Sequence, residues 1–327
     1  MKRVVWINMG LLVFPLWQTL CATPIEKADG EIRAMVRYYK DTQVEEALTL
    51  RMEHGSHVTD RNGAEWELGV TTRSVDGQPD ATDYQLTWKL LKGEAREVAV
   101  GVDFLFSEWN AREFVFIPAI VYDGNRFDIK DISYPPYWYD PAEWRPDMPT
   151  TTTVQPTLGK HGTGKIELNT GNATTPLMAF HSPDRQRGWM VLTTQGSRFG
   201  NHGLSVEENR EQGRATFSIT APAVRKTMAM MGALKPSGDR APDWKAGDTV
   251  AIRFRIHAFR APGLRSLYQR FMEIRKDLNP AERREILPFS KVRELLHNLY
   301  ENERWNDTIQ LYCLSKPGST DAWNGIW

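Results

Sequence analysis

From Glu31 to about Arg260, apolar residues return at every second position. A period of two places successive side chains on opposite faces of an extended chain, so this stretch predicts half-buried β-strands and excludes a helical body. Tyr84, Leu86, Trp88 and Leu90 alternate with Gln85, Thr87 and Lys89. Val98, Val100, Val102, Phe104 and Phe106 alternate with Glu97, Ala99, Gly101 and Asp103. Val250, Ile252, Phe254 and Ile256 alternate with Ala251, Arg253, Arg255 and His257. Turn residues punctuate these runs at Arg61-Asn62-Gly63, Asp76-Gly77, Asp123-Gly124-Asn125 and Lys235-Pro236-Ser237-Gly238. Many antiparallel strands at this spacing predict a mainly β chain built as a large two-layer sandwich. At about 230 residues the β stretch is longer than an immunoglobulin-like unit, so more and longer strands are expected.

After Arg260 the period changes. Leu264, Leu267, Tyr268, Phe271 and Met272 recur at helical spacing, as do Val292, Leu295, Leu296, Leu299 and Tyr300. Asn279-Pro280-Ala281-Glu282 carries the cap, first-turn proline and third-position glutamate of a helix start. Ser290 is expected to cap the second long helix. Strands followed by helices indicate two domains, with a boundary near residues 260–261 and a few α-helices over 261–327. The helical part is too short to close its own core, so its apolar stripes must lean on the sandwich or on further helices.

The first 22 residues read as a secretory signal. Lys2 and Arg3 precede an apolar run from Val4 to Trp17, which is too short and interrupted for a membrane span. The mature β domain would then begin at residue 23, in a periplasmic or extracellular protein. Cleavage after Cys21 or Ala22 is one reading of the junction, and lipid anchoring at Cys21 is the other. Loss of Cys21 would leave Cys313 as the one remaining cysteine, with no intrachain disulfide. The chain closes on Trp323 and Trp327, which reads either as a helical domain cut early or as a terminal strand burying its aromatics.

Forty-one basic and forty-one acidic residues cancel, so no basic field points to nucleic acid. Phosphate loops, a Gly-x-Ser-x-Gly elbow and a His-Glu-x-x-His zinc site are absent from the sequence, and no cofactor or metal site is expected. His54 and His57, three apart, would point to opposite faces of a strand.

Three segments carry chemistry-bearing groups. Phe114 to Val121 is a continuous apolar run that reads as a strand buried on both faces, leading into a turn with Asn125 and Arg126. Arg126 could hold a carboxylate or several hydroxyls, or pin its own loop. Tyr134-Pro135-Pro136-Tyr137-Trp138-Tyr139-Asp140 places aromatics on a loop, where Tyr137 and Trp138 could stack a sugar ring or cement two domains. Thr194 to Asn209 is glycine-spaced and polar, so Arg198 and Asn201 could read hydroxyls, or the segment could be a surface loop.

These same stretches, with Thr220-Ala221-Pro222-Ala223-Val224-Arg225, make the chain resemble the N-terminal super-sandwich of bacterial six-hairpin glycosidase-like proteins over residues 30–327. The resemblance implies a galactose-mutarotase-like sandwich, then a linker helix, then the start of an (α/α)6 toroid that would hold the catalytic carboxylates. On that reading Asp321 and Trp323 sit in the first inner loop, Asp321 as a candidate catalytic carboxylate and Trp323 as a sugar contact. Glycoside hydrolysis ordinarily uses two carboxyl groups, and one does not make the pair. The implied function is a sugar-binding and supporting module of a secreted glycoside hydrolase-like protein, with an oligo- or polysaccharide as partner. The alternatives are a complete non-catalytic carbohydrate-binding or envelope structural protein, and an aldose epimerase, for which no acid–base pair is evident.

Overall fold

The computed structural model describes residues 30–129, 145–146, 154–230, 233–278 and 287–313. The chain divides into two compact units, Met1–Arg270 and Phe271–Trp327.

The first unit is a sandwich of two large antiparallel sheets. Its strands are β1 (Glu31–Lys40), β2 (Gln43–Leu50), β3 (Ser56–Thr59), β4 (Glu65–Val75), β5 (Gln78–Lys92), β6 (Val98–Ser107) and β7 (Phe114–Ile117). There follow β8 (Val121–Tyr122), β9 (Thr163–Asn169), β10 (Leu177–Ser182), β11 (Arg187–Thr193), β12 (Gly203–Asn209), β13 (Arg214–Ala221) and β14 (Thr249–Arg260). One sheet has six strands in the order β9-β12-β13-β6-β1-β2. The other has eight, ordered β3-β4-β5-β14-β11-β10-β7-β8. The three alternating runs in the sequence are β5, β6 and β14, and their apolar sides form the layer between the sheets.

That layer is aromatic. Phe104 and Phe106 of the six-stranded sheet meet Trp189 of the eight-stranded sheet edge-on, at centroid distances of 5.3 and 5.0 Å. Phe106 meets Phe180 at 4.8 Å, and Phe217 closes on Trp189 at 5.4 Å. Edge-to-face pairs of this kind contribute about 0.5–1.5 kcal/mol each beyond the area they bury. Trp66, Trp88, Trp109 and Trp244 are fully buried too, so these tryptophans serve the core.

Two sequence expectations change in detail. The apolar run from Phe114 is two short strands folded back on each other, with Phe116 opposite Tyr122. Pro118 offers no N–H to continue the ladder, and Ala119 takes a positive φ of 64° to make the turn. The polar segment after Thr194 is only partly loop: its second half is β12, the neighbour of β9 and β13.

Helix α1 (Leu264–Leu278) begins in the first unit. Its residues up to Arg270 cover part of the outer face of the eight-stranded sheet. Tyr268 packs its ring 5.2 Å from Phe116 and 6.3 Å from Phe114, and Leu267 is fully buried. Arg270 donates to Asp80 at 2.6 Å, beside the buried His257.

The second unit holds the rest of α1, then α2 (Phe289–Asn298), which runs on into a wider π turn over Leu299–Arg304. Pro288, not Ser290, is the residue before the first turn of α2, and it supplies no side-chain cap. Ser290 therefore lies inside the helix. The stripe of Val292, Leu295, Leu296 and Tyr300 is exposed. A two-strand hairpin follows, with Trp305 and Tyr312 rings 4.9 Å apart and Cys313 buried beside it. Tyr137, Trp138, Asp321, Trp323, the helix start at Asn279 and the whole amino-terminal signal fall outside the described residues.

Candidate functional site

The outer face of the six-stranded sheet carries a recess of about 540 Å³, within the usual size range of small-molecule sites. Its origin lies in the pairing register. One cross-strand row on this face reads Arg33, Asp103, Ser218, Ser205, Glu167, and the next reads Met35, Gly101, Thr220, Gly203, Asn169. Positions on the three central strands are small: Gly101 on β6, Ser218 and Thr220 on β13, Gly203 and Ser205 on β12. Long side chains rise on the flanking strands, Arg37 and Tyr39 on β1 and Lys165 and Glu167 on β9. A sheet that is short-haired in the middle and tall at its sides is hollow there without any bend of the backbone. Strands lie about 4.8 Å apart, so the floor from β6 to β9 spans roughly 14 Å.

The floor is an anchored carboxylate. Asp103 accepts from Arg37 Nη2 at both oxygens, at 2.5 and 2.6 Å, and from the Ser218 hydroxyl at 2.6 Å. The Arg37 and Asp103 side chains are only 13% and 11% exposed, so the pair is held in place by its surroundings. Gly101 is required beneath it. A Cβ there would sit 2.7 Å from the Ile219 carbonyl oxygen and 3.0 Å from Arg37 Nη1, and that Nη1 has no hydrogen-bond partner among the described residues. Tyr39 forms an apolar edge with Val224. On the far side Lys165 bonds Glu167 at 2.7 Å, and Glu207 stands exposed. The arrangement offers anchored acceptors, hydroxyls and one flat apolar edge, which suits binding of a polyhydroxylated ligand.

Of the sequence-derived candidates within the described residues, Asn125, Arg126, Arg198 and Asn201, the recess lining includes none. The Arg126 guanidinium is almost wholly buried and its donors are taken. It holds Glu208 at 3.1 and 2.8 Å and the Glu113 carbonyl at 2.9 Å. Trp109 donates to the same Glu208 carboxylate at 2.9 Å. Glu113 itself is buried against Ser182 and Arg185, and that burial pushes its carboxyl above the usual range despite Arg185. The Asn125 side-chain amide donates to the carbonyls of Ile120 and Pro156 at 2.9 and 2.7 Å. Arg198 pairs with Asp248 at 2.7 Å and lies 4.4 Å over the Phe199 ring. The Asn201 backbone carbonyl accepts from Ala223 at 2.9 Å. Next to it His202 is fully buried, 3.2 Å from the Thr193 hydroxyl, and burial pushes the imidazole pKa down to about 4. The structure does not bring these candidates together in one site.

The recess residues were missed by sequence reasoning because each sits on the polar side of a strand, where solvated residues are ordinary. The signal was present in Gly101 and Asp103, which interrupt the polar side of the clearest alternating run with a glycine and a carboxylate, but only strand order shows what stands beside them.

No family model matches the chain, and no curated protein matches it. Among solved structures it is similar to a candidate aldose 1-epimerase from Escherichia coli K12, at 9% identity and TM-score 0.36, over 62% of this chain and 64% of that one. It is similar to a galactose mutarotase-like protein from Lactobacillus casei ATCC 334, at 13% identity and TM-score 0.31, over 60% of this chain and 64% of that one. It is also similar to a candidate kojibiose phosphorylase from the human microbiome, at 8% identity and TM-score 0.25, over 84% of this chain and 28% of that one. These are distant likenesses, and in each the match spans less than two thirds of the solved chain.

Proposed function

We propose that the chain is a carbohydrate-binding β-sandwich module, exported, of the galactose-mutarotase-like kind that supports a helical glycoside hydrolase-like domain. One observation carries the reading: the recess on the six-stranded sheet, with Asp103 pinned at its floor by Arg37 and Ser218 and with small residues on three adjacent strands. Sugars are bound through fixed hydrogen-bonding groups beside an apolar edge, and this recess has both. The resemblance in sequence to six-hairpin glycosidase-like super-sandwiches supports the same substrate class. Binding is the role assigned, since the polar groups around the hollow are held by one another as fixed hydrogen-bonding partners.

The test is saturation-transfer NMR on the chain with a panel of neutral and acidic oligosaccharides, repeated with Ser205→Trp. Ser205 points outward at the centre of the hollow, so an indole there fills it. Saccharide signals should appear with the native chain and vanish with the variant at an unchanged melting temperature. A panel without a binder, or full binding by the filled variant, would remove the recess as a sugar site.

A further inference from the structure

Resting on that carbohydrate reading, we propose that the recess selects uncharged saccharides and that Glu167 and Glu207 are the residues that turn acidic sugars away. The argument is one of charge matching. Four cationic side chains line the hollow: Arg37, Lys165, Arg225 and Lys226. Three are already held by carboxylates. Arg37 is bound by Asp103 at 2.5 Å, Lys165 by Glu167 at 2.7 Å, and Arg225 by Asp239 through two bonds of 2.7 and 3.0 Å. The fourth, Lys226, is exposed, and the lining's one remaining carboxylate, the exposed Glu207 opposite Lys165, equals it in charge count. Glu167 is further fixed by the Lys226 backbone N–H at 3.1 Å.

A uronate, sulfate or phosphate entering this hollow would find no cation in surplus. It would instead share the hollow with the buried Asp103 and the solvent-reachable Glu167 and Glu207, and their like charges repel it. A neutral sugar meets the same groups as hydrogen-bond acceptors and donors at no such cost. Discrimination of this kind comes from a repulsive element as much as from an attractive one. The register gives the two glutamates their place: Glu167 lies opposite Ser205, and Glu207 lies opposite both Lys165 and Thr216. Both therefore flank the same side of the hollow, while Asp103 closes its floor.

The experiment is titration calorimetry of the full chain with cellotriose, mannotriose and galactotriose, each beside its C6-oxidised uronate form. A neutral trisaccharide should bind at least about ten-fold more tightly than its uronate counterpart. In the double variant Glu167→Gln, Glu207→Gln, both substitutions at positions with solvent access, the uronate should gain several-fold relative to its neutral counterpart, so that the ratio of the two affinities narrows. High salt should narrow the gap in the native chain as the charges are screened. Equal or tighter binding of uronates by the native chain overturns the selectivity and leaves the carbohydrate reading standing. A gap that persists in the double variant overturns the role of the two glutamates. Absence of binding by all six probes removes both the selectivity and the carbohydrate reading.

Discussion

The two outer faces of the sandwich solve the same problem in opposite ways. A sheet in a two-layer body has one face in the core and one to dispose of. On the eight-stranded sheet, part of the outer face is apolar: Phe114 and Phe116 lie under Tyr268, and His181 bonds the Ala261 carbonyl at 3.0 Å. This part is closed by α1. The neighbouring part, on β5 and β14, is charged and settled by direct pairs such as Arg255–Asp83, at 2.6 and 2.9 Å. On the six-stranded sheet, polar residues and glycines leave a hollow, and within it a buried guanidinium nitrogen has no partner among the described residues. A face that is covered or charge-paired leaves no space for a ligand. A face with a hollow does, and that difference is what distinguishes scaffold from site here.

Several measurements can break or sharpen this contrast. Leu267→Ala, on the covered side, should cost about 2–5 kcal/mol in urea unfolding because it empties a fully buried position. A cost under 1 kcal/mol would mean that α1 is not a required cover. The next effect is acid stability. His202 is neutral in the fold, with a pKa near 4 against about 6.5 when unfolded. A depressed histidine contributes stability that is complete above the unfolded value and is lost as pH falls toward 4. The loss should reach about 3 kcal/mol by pH 4, and His202→Gln should flatten that limb. Asp80 acts in a separate window. Burial raises its carboxyl, but the nearby His257, 3.6 Å away, and the Arg270 guanidinium bonded at 2.6 Å outweigh this and hold it below the usual aspartate value. Its contribution therefore persists to about pH 4 and disappears only below it, and Asp80→Asn should remove that lower limb alone.

Smaller effects belong to the open side. Ser218→Ala removes one hydrogen bond to Asp103 and should lower stability by about 1 kcal/mol while weakening saccharide binding, as read by calorimetry. Arg255→Ala, in the charged ladder of the other face, should change stability by under about 1 kcal/mol, since its side chain and that of Asp83 are a third or more exposed, and should leave saccharide binding untouched. Equal binding losses in the two variants would erase the distinction between the faces.

The sandwich was legible in the sequence wherever a strand has one wet face. β5, β6 and β14 announce themselves by alternation, and the turns at Gly63 and Gly77 take the positive φ their glycines allow. The pattern failed where inward positions are polar. β12 carries buried Glu208 between outward Glu207 and Asn209, so it reads as a polar loop. The site was hardly legible at all. Asp103, Ser218, Ser205 and Glu167 come from four strands, the first two of these residues 115 positions apart, and only antiparallel register sets them in one row. Arg126 drew attention for its versatile fork, yet its partner lies 82 residues away in the interior.

β12 is a party wall. Its outward residues, Gly203, Ser205 and Glu207, furnish the hollow, while Glu208 on its other side clamps Arg126 and Trp109. Loosening the interior tenant disturbs the exterior one. Arg126→Ala should depress both melting temperature and saccharide affinity although the two sites share no contact, and a screen scored on binding alone would mistake a structural bolt for a ligand contact.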